Sequence, residues 1–311
     1  MANDADVKDG LHLKVPMADQ FTCNLCGTPN PMPARPLPRE EASCTGCGSS
    51  VRTRALLRAL SLELFGVPLV LADFPRVKSL RGLGTSDPGQ YADRLAEKFD
   101  YRNTFYHREP RFDLVHPPQH ELGRYDFLVS SEVLEHVLPP VEDAFRSALS
   151  LLKSNGVLVM TVPYSLEASM AEHYPDVHEF GFVQLGDRTT LVNRTRSGEV
   201  QVFDNPVFHV SWGGAALEMR EFTETELKRV LDESGFASVR TYGDDYPPFG
   251  IIHSESWSLP IVARKGELAF SLEATRDLIE HWHEIKRESD EKVRRYERSY
   301  WVRFGRKLGL I

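Results

Sequence analysis

The sequence contains only four cysteines in 311 residues, all between positions 23 and 47. It also lacks any apolar run of about 18 residues. The longest candidate, 60–74, is broken by Glu63 and Asp73, which argues against a membrane-spanning helix. Positive charge is in deficit: Lys and Arg number 37 against 45 Asp and Glu, a formal net charge of −8. That balance counts against a protein held on nucleic acid chiefly by phosphate neutralisation. The first ten residues, MANDADVKDG, have neither the basic nor the apolar region of a secretory signal, so a cytoplasmic location is expected. No internal repeat is found. Hydrophobic residues make up 41% of the chain, enough for a substantial core. The length allows about two domains, or one large domain with appendages.

The cysteines follow the pattern C-x2-C-x17-C-x2-C: Cys23, Cys26, Cys44 and Cys47. Gly27 and Gly48 follow the second cysteine of each pair, where the backbone must turn so that amides can face sulfur. Four thiolates at this spacing suit tetrahedral zinc. Disulfides would need an oxidising compartment, which no export signal supports. Four protein ligands leave no open position, so the zinc is expected to be structural. The loop between the pairs carries Pro29, Pro31, Pro33, Pro36 and Pro38, which excludes a central strand or a helix there. Residues 21–50 therefore read as a zinc ribbon too small to fold without metal, behind a loose polar tail, 1–20.

Beyond the ribbon, short apolar strands alternate with helices, the pattern of a parallel α/β sheet. Helices are predicted over 54–65, 88–99, 141–153 and 223–235, the last with a capping box of Thr223 and Glu226. Strands are predicted at 77–81, 103–107, 125–130, 157–162, 237–242 and 257–263. In such sheets ligands sit beyond the carboxyl ends of the strands. Those ends carry Gly82 to Asp87, Glu109, Ser130 to His136, and Pro163-Tyr164. Within the main domain, 51–266, the segment of about 165–221 reads as a β-rich insertion acting as a lid, with turns at Gly186-Asp187 and Ser197-Gly198. Residues 267–311 form a charged helical extension. Leu278, Trp282, Ile285, Ser289, Val293, Tyr296 and Tyr300 make one narrow stripe along it. That stripe suits packing on the chain's own core or a homodimer contact better than a lipid surface.

Gly82-Leu-Gly84 after a strand, Tyr125-Asp-Phe-Leu-Val-Ser-Ser-Glu-Val-Leu-Glu-His136, Leu152 to Pro163, Phe222-Thr-Glu-Thr-Glu-Leu and Glu233-Ser-Gly-Phe236 together resemble class I S-adenosylmethionine-dependent methyltransferases over roughly residues 50–265. The resemblance implies a Rossmann-like sheet preceded by the four-cysteine ribbon. It implies that Gly82, Gly84 and Thr85 lie against the methionine part of the cofactor. Glu109 would take the ribose hydroxyls, Asp113 the adenine amino group, and Ser130, Ser131 and Glu132 would form the pocket floor. Asp87 competes for one of the acidic roles. The chain departs from the family pattern at Leu80, where an acid is usual, and at Ser86, in place of the third glycine. Zinc modules also precede such domains in deoxysugar C-methyltransferases and in certain ribosomal-RNA guanine methyltransferases.

Methyl transfer from a sulfonium needs alignment, and a base only where the acceptor keeps its proton until attack. His136 and His173 are the candidate bases, although His136 also reads as a residue that packs the segment after the fourth strand of the family. Tyr164, His178, His209 and Arg220 are candidates for the acceptor side. Arg220 either clamps an anionic group of the acceptor or pairs with Glu218 on a strand face. Arg52 and Arg54 either ion-pair across the ribbon–domain interface or reach an anionic acceptor. A small-molecule acceptor, such as a sugar or nucleotide-linked sugar, is preferred. RNA or protein methylation, and a non-catalytic cofactor-binding scaffold, stand as alternatives.

Overall fold

The computed structural model describes residues 19–299 apart from 168, 212, 213 and 268, together with residue 302. Strands β1 (Gln20–Thr22) and β2 (Pro29–Pro31) pair antiparallel, Phe21 opposite Asn30. Each cysteine pair closes as the same turn. Gly27 N–H donates to Cys23 O and Gly48 N–H to Cys44 O, both at 2.8 Å, with the glycines at φ +77° and +69°. The glycine amides thus close the turn on a carbonyl. The amides that face sulfur are those of Leu25 and Cys26 for Cys23, and of Gly46 and Cys47 for Cys44.

The second turn runs directly into α1 (Val51–Phe65), which starts three residues before its predicted position. The cause is local: Ser50 and Thr53 cap each other's amides reciprocally. Leu56, Leu57, Leu60 and Leu64 are buried, as their spacing predicts. Then follow β3 (Arg81–Thr85), α2 (Gly89–Lys98), β4 (Asp100–Thr104), β5 (Tyr125–Ser131), α3 (Glu142–Leu151) and β6 (Leu152–Thr161). The predicted strand at 77–81 is replaced by β3, so Gly82 and Gly84 lie inside a strand. A Cβ on Gly82 would stand 2.3 Å from the Phe127 ring and 2.5 Å from the Tyr101 ring. Stacked aromatics fill the space that a side chain would need. The second strand likewise sits earlier, at 100–104. Between β4 and β5 the only helical turn among the described residues is 119–121, and no strand forms there.

The insertion supplies β7 (Tyr164–Ser165), β8 (Ala171–Glu172), β9 (Glu179–Leu185), β10 (Arg188–Arg194), β11 (Val200–Asp204), β12 (Phe208–Ser211), β13 (Gly214–Leu217) and β14 (Arg220–Thr223). Strands β9 to β11 form an antiparallel meander with glycine turns at 186 and 198. Strands β12 and β13 form a hairpin, and β14 lies between β7 and β8. After α4 (Glu224–Glu233) come β15 (Ser238–Thr241), β16 (Ile261–Arg264) and α5 (Leu272–Glu297). Thr223 caps α4 through the Glu226 amide, but the Glu226 carboxylate pairs with Arg229, so the capping box is one-sided.

The central sheet has the order β15-β16-β6-β5-β3-β4. Strands β4, β3, β5 and β6 are parallel, whereas β16 runs antiparallel to both β6 and β15. The sheet is α/β as expected, but mixed, because β16, reached through the 242–260 connection, lies between β15 and β6 and runs antiparallel to both. Alternate residues of one strand serve opposite faces. Phe127 and Val129 join α1 and α2 in one core, while Leu128 joins α3 and α4 in the other. Helix α5 docks by its first turns. Ala274 and Leu278 pack on the first core, and the Asp277 carboxylate accepts from the Ser79 amide and hydroxyl. Trp282, Ile285, Val293 and Tyr296 of the predicted stripe are exposed, and Tyr300 lies outside the described residues. No helix among the described residues is long and apolar enough to cross a membrane.

Candidate functional site

Parallel pairing aligns the strand ends. Thr85 stands opposite both Thr104 and Ser130, and Ser131 opposite Thr161. The result is a row of hydroxyls at the carboxyl edge of the sheet. The Ser131 and Thr161 hydroxyls are 2.9 Å apart, and the buried Ser130 hydroxyl has no hydrogen-bond partner among the described residues. The chain leaves β3 through Ser86, at φ +61°, a left-handed turn at the position where the related motif has its third glycine.

Asp87 turns back under this row. Its carboxylate accepts from the Tyr91 hydroxyl at 2.7 Å and from the Tyr101 hydroxyl, while Asn103 spans its backbone amide and carbonyl. Burial pushes the Asp87 carboxyl up to about 7, opposed by the two tyrosine donors and by the charge of Arg52. A Cβ on Gly84 would meet the Tyr101 hydroxyl at 2.2 Å and Asp87 Oδ2 at 2.3 Å. Both glycines are therefore required by packing inside the sheet, and Asp87 has no free oxygen for a ribose.

The other two predicted acids lie elsewhere. Glu109 is exposed in the loop beyond β4, where its carboxylate accepts from the Arg111 amide at 2.9 Å. Asp113 closes a turn by accepting from the Val115 and His116 amides. No contact joins either of them to the strand-end hydroxyls. Phe105, the residue after β4, bridges Arg111, so the loop that carries both acids starts from the carboxyl end of β4.

Arg39 of the ribbon and Arg52 at the start of α1 reach this edge. Arg39 Nη2 and Nη1 hold Glu132 Oε1 and Oε2 at 2.7 and 3.0 Å, and its Nε donates to the Ser258 carbonyl. Glu132 sits in a left-handed turn at φ +55°. Burial raises its carboxyl, but the Arg39 guanidinium outweighs burial and holds it at about 2. Arg52 pairs with Glu40 at 2.8 Å and donates to the Ser131 hydroxyl, which makes it a residue of the ribbon–domain interface. Arg54 is fully buried and donates to the Ser49 and Gly250 carbonyls and the Ser43 hydroxyl, so it is not free for an acceptor.

The four cysteines converge. Cys23 Sγ and Cys47 Sγ are 3.7 Å apart, and Cys26 Sγ and Cys44 Sγ 3.5 Å. A tetrahedron with zinc–sulfur bonds of about 2.3 Å has edges of about 3.8 Å, so the donor set fits a zinc ion. The Ser49 hydroxyl stands 3.2 Å from Cys23 Sγ and links it to the buried Arg54 guanidinium, a cation suited to a tetrathiolate centre.

The acceptor-side candidates gather around the turn that follows β5. His136 Nδ1 lies 2.9 Å from the Leu217 carbonyl, and the Met219 amide donates to Glu135 O at 2.9 Å. Glu135 Oε1 is 3.7 Å from both His136 Nε2 and His209 Nδ1. His173 Nε2 meets Glu218 at 3.4 Å. Arg220 is fully buried, holds Glu172 with two nitrogens, and donates to the Leu134 and Val137 carbonyls. It pairs with Glu172 rather than Glu218 and is not available to clamp an acceptor. Tyr164 is buried with its hydroxyl unpartnered among the described residues, while His178 is exposed on the meander side, its amide on Asn193. The residues that sequence reasoning passed over are Arg39, Tyr91, Tyr101 and Glu135. Only Glu135 carried a signal, as the acid preceding His136.

A family model described as "Methyltransferase domain" matches residues 45–241, from the second cysteine turn through β15. No curated protein matches the sequence. Among solved structures the chain is similar to an S-adenosylmethionine-dependent methyltransferase from Clostridium acetobutylicum ATCC 824, at 13% identity, covering 61% of this chain and 85% of that one with a TM-score of 0.36. It is also similar to the sugar N-methyltransferase KedS8 from Streptoalloteichus sp ATCC 53650, at 14% identity, 71% and 90% coverage and a TM-score of 0.41. A third is CalS10, an amino pentose methyltransferase from Micromonospora echinaspora, at 13% identity, 70% and 92% coverage and a TM-score of 0.38.

Proposed function

The chain belongs to the methyltransferase-domain family, and on that premise we propose that it transfers a methyl group from S-adenosylmethionine to a small-molecule acceptor, a sugar or nucleotide-linked sugar. The observation that carries this reading is the docking of the insertion onto the carboxyl edge. Met219 and Arg220 bond the backbone of the turn 134–137 directly beyond β5, and the β12–β13 hairpin meets His136 through Leu217. A cover seated there encloses a compact acceptor beside the hydroxyl row, in keeping with a chain of net charge −8.

The hydroxyl row fits the cofactor. Ser130 offers a buried hydroxyl with no partner among the described residues, and Thr85 and Thr104 flank it. When bound, S-adenosylmethionine supplies an electrophilic methyl on a sulfonium. The chain's own residues orient the acceptor and take its proton. His136, with Nδ1 engaged by a carbonyl, keeps Nε2 for that role, and His173 is held by Glu218. Zinc on Cys23, Cys26, Cys44 and Cys47 would act structurally, holding the loop that carries Arg39 against Glu132.

Calorimetric titration of the folded, zinc-loaded chain with S-adenosylmethionine tests the cofactor. Release of S-adenosylhomocysteine, measured over a panel of sugars, nucleotide sugars, RNA and protein, then tests the acceptor. One saturable cofactor site and turnover with the sugar group are expected. No detectable cofactor binding would sink the reading, and turnover confined to RNA or protein would replace its acceptor.

A further inference from the structure

We propose that Glu135, His136 and His209 form a second metal site, distinct from the four cysteines, for a divalent first-row transition ion such as Mn2+, Fe2+, Co2+ or Zn2+. One ligand atom from each residue lies within 4.8 Å of the others. Glu135 Oε1 is 3.7 Å from His136 Nε2 and from His209 Nδ1, too long for hydrogen bonds. Ligands about 2.1 Å from a metal stand about 3.0–3.4 Å apart in octahedral or tetrahedral arrangement. The two carboxylate–imidazole gaps would shorten by about 0.3–0.7 Å on binding an ion, and the two imidazole nitrogens, within 4.8 Å of each other, would draw in with them.

Two further observations point the same way. Glu135 is fully buried, and neither carboxylate oxygen has a hydrogen-bond partner among the described residues; the same holds for His209 Nδ1. A buried carboxylate without donors is a strongly unfavourable arrangement unless a cation completes it. Neither neighbouring arginine serves. Arg39 is committed to Glu132, and Arg220 to Glu172. The second observation is the orientation of His136. Its Nδ1 faces the Leu217 carbonyl at 2.9 Å, which places the proton on Nδ1 and turns the Nε2 lone pair toward Glu135. A metal-ligating histidine is characteristically fixed in this way through its other nitrogen.

Two imidazoles and one carboxylate favour a transition ion over Mg2+ or Ca2+, and three protein ligands leave coordination positions open. The ligands come from two elements, the turn after β5 and strand β12, so an ion there would also pin the insertion to the sheet edge. The inference needs neither cofactor nor acceptor, but an ion there takes up His136 Nε2, which leaves His173 as the base in the methyl-transfer reading.

The test is a Mn2+ titration of the full, zinc-loaded chain followed by electron paramagnetic resonance, with zinc content measured alongside. One Mn2+ per chain is expected, with the zinc on the four cysteines retained. Glu135→Gln, which keeps the shape, and His209→Gln, at a half-buried position of the insertion, should each weaken Mn2+ binding at least about tenfold and leave the zinc in place. The absence of saturable binding of Mn2+, Co2+ or a second Zn2+ would overturn the proposal. So would unchanged Mn2+ affinity in folded Glu135→Gln or His209→Gln.

Discussion

Arg39, in the loop between the two cysteine pairs, donates two hydrogen bonds to Glu132, the residue that follows β5. The ribbon is thereby latched to the sheet at the point where the family binds its ligands. Glu132 is held in a left-handed turn, and the bidentate grip fixes which way its carboxylate faces.

Breaking that latch should destabilise the chain in a pH-dependent way. Arg39→Ala leaves Glu132 buried and unpaired, a loss of about 3 kcal/mol at pH 7. The Glu132 carboxyl is depressed to about 2 from an ordinary 4.5. Its contribution is therefore present above about pH 4.5 and is lost as pH falls toward 2. Urea denaturation of wild type and variant should show a gap at pH 7 that narrows below pH 4.5. Equal stability at pH 7 would show that the latch carries no energy.

Asp87 should show the opposite sign. Its folded carboxyl is raised to about 7 from 3.8, so the stability it contributes is full below about pH 4 and declines as pH rises to 7. Asp87→Asn removes this titration. Relative to the variant, wild type should lose roughly 3 kcal/mol between pH 5 and pH 8. A difference that stays flat over that window would mean that Asp87 remains ionised throughout.

Much of the architecture was legible because it follows from periodicity and spacing. The apolar runs 125–130 and 157–162 lie largely within β5 and β6, the glycine turns define the meander, and the cysteine spacing anticipates convergence. What escaped was decided by long-range packing. Gly82 and Gly84 look like loop glycines in sequence. They lie in a strand because Phe127, Tyr101 and Asp87, all distant or across a turn, occupy the space above them. The antiparallel β16 depends on which neighbour closes the sheet, which local pattern does not encode. Arg220 reads as an acceptor clamp or as the partner of Glu218 until Glu172, 48 residues away, is brought to it.

Gly82 offers a test of that packing account. Gly82→Ala places a methyl group 2.3 Å from Phe127, and overpacking of this kind typically costs about 1–3 kcal/mol. A lowered melting temperature is expected even without cofactor. An unchanged melting temperature combined with weakened cofactor binding would return Gly82 to the role of a ligand contact.

Removing the metal tests the coupling between ribbon and sheet. One zinc per chain is expected on the four cysteines, and Cys44→Ser should abolish its binding there. Because Arg39, Arg52 and the start of α1 are all positioned from the ribbon, loss of zinc should loosen the carboxyl edge as well. Hydrogen exchange should show faster exchange of the amides of 130–132 in Cys44→Ser than in wild type. Exchange there at the wild-type rate would show that the sheet edge is independent of its ribbon.

Ser130 separates folding from binding most cleanly. Its hydroxyl is buried, belongs to the strand-end row, and has no partner among the described residues. A buried hydroxyl left unpaired is unfavourable, so Ser130→Ala should be neutral or slightly stabilising in the cofactor-free chain. If the hydroxyl instead donates to bound S-adenosylmethionine, the same substitution removes one hydrogen bond from the complex. The expected loss is about 1 kcal/mol, roughly fivefold in affinity. Melting temperature and calorimetric titration on the same samples decide between the outcomes. A destabilised apo chain would show that Ser130 is already satisfied. Equal affinity with unchanged stability would place the cofactor away from the end of β5.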